Sequence, residues 1–187
     1  SFDIRGRLAL IARKQGDNEE AVAQLCAAKK LDPERSYPYM ELYEIYKAMG
    51  PAHAAQSLLE LEQYVVLEQM SFAPLKQLID DYAALGNWQK VRTFGEMAVY
   101  IDPSNADLFL ALGKAYLETG NATQATFTYE SALVAHPAFR RPALAHLGRA
   151  RAYNALKQTK KARAALAEAL KTEPENADAL ALKKLLK

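Results

Sequence analysis

The stretch that decides the fold is residues 106–139, ADLFLALGKAYLETGNATQATFTYESALVAHPAF. Its apolar residues recur three, four and seven positions apart, which is the spacing of one helix face. The Gly-Asn pair at 120–121 interrupts that pattern and is typical of a turn, and Pro137 is unfavourable inside a helix. The stretch therefore predicts two antiparallel helices, which the small residues Gly113 and Ala125 allow to approach closely.

Four prolines mark the same unit along the chain. Pro103 and Pro137 are 34 residues apart, and Pro137 and Pro174 are 37 apart. Pro33 precedes Pro103 by 70 residues, which is close to two such units. This period indicates a repeat protein, whose units bury their apolar faces only against their neighbours and leave a long open surface. A surface of that kind favours a binding function.

Residues 106–139 also match a known signature, which runs aromatic, Leu, Gly, Tyr, Ala, aromatic, Ala, Pro. The matching residues are Phe109, Leu112, Gly113, Tyr116, Ala125, Tyr129, Ala132 and Pro137. On these residues the chain resembles the tetratricopeptide repeat family, whose unit is about 34 residues long. The resemblance implies an all-α fold, an α-solenoid of about five antiparallel helix pairs plus a C-terminal capping helix.

The same frame divides the chain into five predicted repeats and a cap. We expect one solenoid over residues 1–187, with repeats at about 2–35, 36–69, 72–105, 106–139 and 143–176 and a cap at 176–187. The second repeat is degenerate, because Glu62 and Leu67 replace a small residue and the proline. Residues inserted around Phe139 precede the last repeat, which has Lys157 at the usual turn glycine. Its Leu147–Gly148 pair lies two positions early, so its first helix is expected to be longer or displaced.

The composition agrees with helices. The 187 residues are half apolar, and only 8 Gly and 8 Pro interrupt them. No stretch alternates as a strand does, and neither a membrane span nor an export signal is predicted. The single Cys26 lies in an apolar helical run, which favours a buried small side chain over a reactive thiol. Since the chain starts inside a helical pattern without an initiator Met, we expect a fragment of a longer protein, and its compartment stays open.

Charge is distributed unevenly along the chain. Residues 140–187 contain 12 Lys and Arg against 4 Asp and Glu, whereas residues 1–139 contain 12 against 18. A basic C-terminal end can bind acidic partners or phosphate groups. The simpler interpretation is a solvated face on the last helix pair and its cap. The lysines that suit this interpretation are Lys160, Lys161, Lys183 and Lys184.

No arrangement of residues indicates catalysis. His53, His136 and His146 are scattered, and no cysteine pair or acidic cluster has the spacing of a metal site. No glycine-rich phosphate loop is present. Asp80 and Asp81 are consecutive, so on a helix they point about 100 degrees apart and do not share a proton. We therefore predict that the chain is not an enzyme and needs no cofactor or metal.

The resemblance to tetratricopeptide repeats implies that a ligand lies along the concave face formed by the first helix of each pair. Five positions of the repeat frame carry those contacts. The residues at these positions are Tyr37, Met40, Glu44, Lys47, Lys76, Asp80, Ala83, Asp107, Leu110, Lys114, Leu117, Glu118, Leu147, Arg151 and Asn154. The apolar ones suit anchors of a peptide and the cations suit its carboxylates. A solvated face without a ligand is the alternative.

One subclass of the family clamps the carboxyl terminus of heat-shock chaperones through a defined set of Lys, Asn and Arg side chains. This chain has Asp80 where an Asn is required and Ala111 at the matching place of the next pair. We therefore do not expect chaperone docking.

The leading hypothesis is a non-catalytic protein–protein interaction scaffold that binds a partner segment along the concave face. The alternative is the C-terminal accessory or oligomerisation region of a larger enzyme, for example a peptidase, whose active site lies upstream. Self-association is compatible with either hypothesis. RNA binding is a third hypothesis, favoured by the basic C-terminal third and opposed by the acidic residues 1–139.

Overall fold

The computed structural model describes residues 1–135 and 140–186. Within these residues it consists of α-helices and one short 3-10 turn, Pro51–His53, with no strand. The helices are α1 (Phe2–Lys14), α2 (Asn18–Leu31), α3 (Tyr37–Ala48), α4 (Ala54–Leu67), α5 (Phe72–Ala84), α6 (Trp88–Ile101), α7 (Ala106–Glu118), α8 (Ala122–Ala135), α9 (Pro142–Ala155), α10 (Thr159–Thr172) and α11 (Ala177–Leu185). The predicted all-α class is confirmed.

The chain forms two compact units, which we call unit 1 (Ser1–Leu78) and unit 2 (Ile79–Lys187), and α5 crosses their boundary. In unit 1, α1 packs on α2, α2 on α3, and α3 on α4. In unit 2, each helix from α6 to α11 packs on the next, and α7 also contacts α9. Packing between sequence neighbours is the arrangement of a helical solenoid.

A left-handed residue ends the first helix in four of the pairs. The φ angle is +80° at Gly16, +69° at Gly86 and +81° at Gly120, a region that glycine enters without a steric penalty. Lys157 takes the same place in the last pair with φ +58°. The turn positions of these four pairs therefore share a positive φ, including the position that lacks glycine.

Replacing Lys157 with glycine is expected to raise the free energy of unfolding by about 0.5–1 kcal/mol. The left-handed region costs an L-residue about 1–2 kcal/mol, and the greater freedom of glycine in the unfolded chain offsets part of the gain. Denaturation in urea measures the change. Ala164→Gly is the matched control, because this exposed position lies in the interior of α10, where glycine should cost about 1 kcal/mol relative to alanine. A loss of stability in Lys157→Gly would contradict the turn assignment.

The interior of unit 1 is built from small and aliphatic side chains. One cluster joins α1, α2 and α3 and contains Ala9, Ala12, Ala21, Leu25, Leu42 and Ile45. Cys26 packs against it half-buried. Lys29 Nζ lies 2.6 Å from a carboxylate oxygen of Glu60 and 4.5 Å from the ring centroid of Tyr39. These contacts connect α2 to both helices of the degenerate repeat, in which Glu62 is buried on α4.

The last repeat starts earlier than its frame predicts. Helix α9 begins at Pro142 and has 14 residues, whereas α7 has 13. The longer first helix is one of the two outcomes expected from the early Leu147–Gly148 pair. The predicted helix end at Pro137, the insertion around Phe139 and the final Lys187 of the predicted cap lie outside the described residues. Over the ranges 1–135 and 140–186, no helix is both long and apolar enough to cross a membrane.

Candidate ligand-binding face

The first helices of two neighbouring pairs in unit 2 are held together by one tyrosine. Tyr129 of α8 packs against a glycine on each helix, Gly113 of α7 and Gly148 of α9. A Cβ atom at Gly113 would lie 2.9 Å from Tyr129 Cε1, and one at Gly148 would lie 2.3 Å from Tyr129 Cζ. Both distances are shorter than van der Waals contact. The tyrosine ring therefore fills the space that the two glycines leave, and it positions α7 and α9.

Charges of both helices act on this tyrosine. Tyr129 is 5% exposed, and burial raises the pKa of its hydroxyl well above the usual value. The positive charge of Arg151 opposes that increase, and the negative charge of Glu118 adds to it. The Tyr129 hydroxyl thus interacts with charges of opposite sign, Glu118 of α7 and Arg151 of α9.

We call the predicted ligand residues that line these helices the α7–α9 face. It consists of Leu110, Lys114, Leu117, Glu118, Arg151 and Asn154. The two leucines are half-buried and pack against a cluster formed by Ala125, Tyr129 and Ala152. The four polar residues are exposed or half-exposed. The face therefore combines a partly covered apolar strip with accessible charges, which is a surface that a peptide can contact.

Trp88 belongs beside this face and was not among the predicted residues. The Lys114 ammonium lies 4.3 Å from the centroid of the Trp88 ring, an attractive cation–π geometry. Trp88 begins α6, directly after the Gly86-Asn87 turn, and it is the only tryptophan of the chain. Two facts about Trp88 could have indicated a binding role from the sequence: it is the single tryptophan, and tryptophan is enriched at binding interfaces. Nothing local in the sequence connects it to a lysine 26 positions later.

Arg151 has an ion-pair partner on α11. Its guanidinium donates a hydrogen bond to Asp178 Oδ2 at 2.7 Å, and both side chains are solvent-exposed. Asp178 lies in the first turn of α11. A similar pair joins Arg141, the residue before α9, to Asp107 in the first turn of α7 at 2.5 Å. Exposed arginine–aspartate pairs thus connect α7 to the start of α9 and α9 to α11.

Leu147 does not belong to the accessible face. It is 4% exposed and lies in the core cluster that also contains Leu166 of α10 and Leu182 of α11. The repeat frame places Leu147 at a ligand-contact position, but its side chain is buried in this cluster and is not accessible to a ligand. The assignment of Leu147 as an apolar anchor is therefore corrected.

Unit 1 carries its own candidates on α3. Tyr37 is exposed and lies near α1, since a Cβ atom at Gly6 would be 3.5 Å from Tyr37 Cε1. Partial burial and then the negative charge of Glu41 raise the pKa of the Tyr37 hydroxyl. Met40 is half-buried and Glu44 is exposed. Nearer the end of the helix, Lys47 Nζ donates a hydrogen bond to the Tyr43 hydroxyl at 2.7 Å.

The two candidate ligand-binding residues of α5 belong to different units. Lys76 lies in unit 1 and is half-buried, and Asp80 lies in unit 2 and is exposed. Both have interaction partners. Both side chains therefore lie on the surface of α5 and interact with other groups of the protein.

No metal site is found where the structure describes the chain, because no group of three His, Cys, Asp or Glu side chains is suitably placed there. His53 stacks on Tyr46 with ring centroids 5.8 Å apart. His146 lies 3.4 Å from the Arg149 guanidinium, and burial followed by the charge of Arg149 lowers its pKa. His136 is outside the described residues.

Comparison with known proteins gives one recurring family. Models described as "Tetratricopeptide repeat" match residues 2–35 and residues 144–176. No curated protein matches the chain significantly in sequence. The two matched segments correspond to the stretches predicted as the first and the fifth repeat.

Solved structures extend the similarity over almost the entire chain. The MamA protein is 21% identical, with 94% of this chain and 93% of that chain covered and a TM-score of 0.60. TTC0263, a thermophilic TPR protein of Thermus thermophilus, is 18% identical, with 100% and 98% covered and a TM-score of 0.54. YrrB, described as a TPR protein with an unusual peptide-binding site, is 17% identical, with 94% and 88% covered and a TM-score of 0.67. At these identities the likeness shows the fold.

Proposed function

Because this chain is a tetratricopeptide-repeat protein, we propose that it is a non-catalytic scaffold that binds a segment of a partner protein against its first helices. The repeat fold itself suggests a protein–protein interaction role, since stacked repeats create extended binding surfaces. YrrB, which shares this fold, is described as having a peptide-binding site, and this supports a peptide or protein ligand.

The observation that carries the proposal is the arrangement of exposed cations beside leucines on the α7–α9 face. Lys114 and Arg151 are exposed on neighbouring first helices that contact each other. Leu110 and Leu117 lie half-buried on the same helix as Lys114. A peptide with a carboxylate for each cation and an apolar side chain for the leucines would satisfy this surface.

The existing partners of the two cations do not prevent ligand binding. The exposed Arg151–Asp178 pair contributes about 0–1 kcal/mol, so a ligand carboxylate can take the place of Asp178. The contact of Lys114 with Trp88 contributes about 0.5–1 kcal/mol and leaves the ammonium accessible. Both contacts restrict the side chains in advance, which lowers the entropy lost when a ligand binds.

The proposal includes the remaining predicted contacts as separate candidates. Tyr37, Met40 and Glu44 form a candidate surface in unit 1, and Lys76 and Asp80 are candidates on α5. Leu147 is left out because it is buried.

Capture experiments with the immobilised chain test this proposal. A protein from lysate of the source cells should be retained by the natural chain and at least about tenfold less by a Leu110→Ala, Lys114→Ala, Arg151→Ala variant, a loss of about 1.4 kcal/mol. Peptides covering the captured protein then identify the bound segment. Its titration should change the fluorescence of Trp88, the only tryptophan and a neighbour of Lys114.

A matched control replaces one leucine and two lysines elsewhere in unit 2. Leu185, Lys160 and Lys184 are exposed and lie outside the α7–α9 face, so their triple alanine variant should retain the partner fully. Circular dichroism verifies that both variants are folded. Equal retention by the natural chain and the α7–α9 variant, or no retained protein, would reject the proposal.

A further inference from the structure

A second surface of unit 2 lies on α10 and α11 and shares no residue with the α7–α9 face. It is a groove of about 670 Å³. Its floor is apolar and consists of Leu166, Ala167, Leu170 and Leu186. Leu166 and Leu186 belong to the core and are firmly held, whereas Ala167 is exposed and Leu170 is half-buried. The small side chain of Ala167 leaves the space that the groove occupies.

The remaining lining residues are all basic. They are Arg163 and Lys171 of α10 and Lys183 of α11. Arg163 is anchored, since its Nε donates a hydrogen bond to the backbone carbonyl oxygen of Leu186 at 2.7 Å. The Lys171 side chain is 79% exposed. Its Nζ lies 3.9 Å from Glu168 Oε2, so the two form only a weak ion pair at the surface. The described lining of the groove therefore contains three cations and no acidic residue.

The dimensions of the groove suit a helix. Arg163 and Lys171 are eight residues apart on α10, which corresponds to about 12 Å or slightly more than two helical turns. A helix lying across this floor would place apolar side chains spaced three and four residues apart on the leucines. Residues flanking that stripe would then face the three cations.

We propose that this groove binds an acidic amphipathic helix of a partner protein. The apolar floor requires a ligand that buries leucine-like side chains, and the basic rim selects glutamate or aspartate beside them. An RNA strand would leave the apolar floor unmatched. A second copy docking through the exposed apolar residues of α1 would bring Arg5 and Arg7 towards the basic rim, which is unfavourable.

Fluorescence anisotropy with a defined probe tests the proposal. The probe is a fluorescein-labelled synthetic peptide of about 15 residues, with leucines three and four positions apart and glutamate at the flanking positions. The full chain should bind it saturably, and added salt should weaken binding because the rim is charged. A peptide with lysine in place of every glutamate should bind at least about tenfold more weakly.

Two pairs of variants locate the site. Ala167→Phe fills the groove and should raise the Kd of the glutamate peptide at least about tenfold, whereas Ala164→Phe on the same helix should change it less than about twofold. Lys171→Glu with Lys183→Glu should weaken binding at least about fivefold, whereas Lys160→Glu with Lys184→Glu, an equal change in net charge, should weaken it clearly less.

Several results would overturn the proposal. One is equal affinity of the glutamate and lysine peptides, and another is an unchanged Kd in Ala167→Phe. Displacement of the peptide by oligouridine at equimolar charge would instead assign the surface to nucleic acid. If the glutamate peptide does not bind and sedimentation shows a dimer that Ala167→Phe dissociates, the occupant is a second copy of the chain.

Discussion

Replacing Gly148 with alanine is expected to lower the free energy of unfolding by about 1–2 kcal/mol. The new methyl group would lie 2.3 Å from Cζ of Tyr129, far closer than a van der Waals contact between two carbon atoms. Tyr129 is buried against both α7 and α9, so moving the ring disturbs two helices at once. Overpacking of this kind costs about 1–3 kcal/mol, occasionally more, and should exceed the gain of about 1 kcal/mol that alanine brings to a helix.

Gly6→Ala is the matched control for this change. Gly6 also lies within a helix, but its added Cβ would be 3.5 Å from Tyr37, an ordinary contact. The same substitution should therefore stabilise by about 0.5–1 kcal/mol. Urea denaturation of both variants provides the comparison, and a Gly148→Ala protein as stable as the natural chain would show that Tyr129 does not occupy this position.

A double-mutant cycle separates the steric effect from other consequences of the substitution. In a Tyr129→Ala background the methyl group of Gly148→Ala meets no ring, so its penalty should disappear. Gly113 provides a graded test, because its added Cβ would be 2.9 Å from the same ring. Gly113→Ala should therefore cost less than Gly148→Ala, whereas the bulkier Gly113→Leu should cost about 1–3 kcal/mol.

Leu182→Ala is expected to lower the free energy of unfolding by about 2–4 kcal/mol. Leu182 is 6% exposed and packs in the cluster that contains Leu147 and Leu166. Truncating a buried leucine removes its burial and leaves a cavity. Leu185→Ala is the matched control, because Leu185 lies three residues further along α11 and is 79% exposed, so its loss should change stability by less than about 0.5 kcal/mol.

Removing residues 176–187 extends the same test to the entire cap. The truncation removes Ala179, Leu182 and Leu186 from their core cluster, and the apolar surface exposed in this way should promote self-association. Analytical ultracentrifugation of the truncated chain at several concentrations measures this. A truncated chain that stays monomeric and keeps its stability would exclude a capping role for α11.

The contrast between Lys114 and Leu147 illustrates what the sequence could predict about the site. The repeat frame assigns both to ligand-contact positions on first helices. Lys114 is exposed on α7, whereas Leu147 is buried in a cluster formed by residues of α9, α10 and the C-terminal segment. The frame records only the position within one helix, and exposure at that position depends on which neighbouring helix packs over it.

The sequence by itself determined the helical class, the position of the turns and the relationship to the tetratricopeptide repeat. These features depend on residues within one turn or one helix, such as the left-handed glycines Gly16 and Gly120 and the periodic apolar stripe. Only the tertiary structure decided the placement of Tyr129 between two glycines, of Trp88 beside Lys114, and of the basic groove on α10 and α11. The tyrosine and tryptophan contacts join residues 16 to 26 positions apart, on different helices, and side-chain packing rather than local backbone preference selects them.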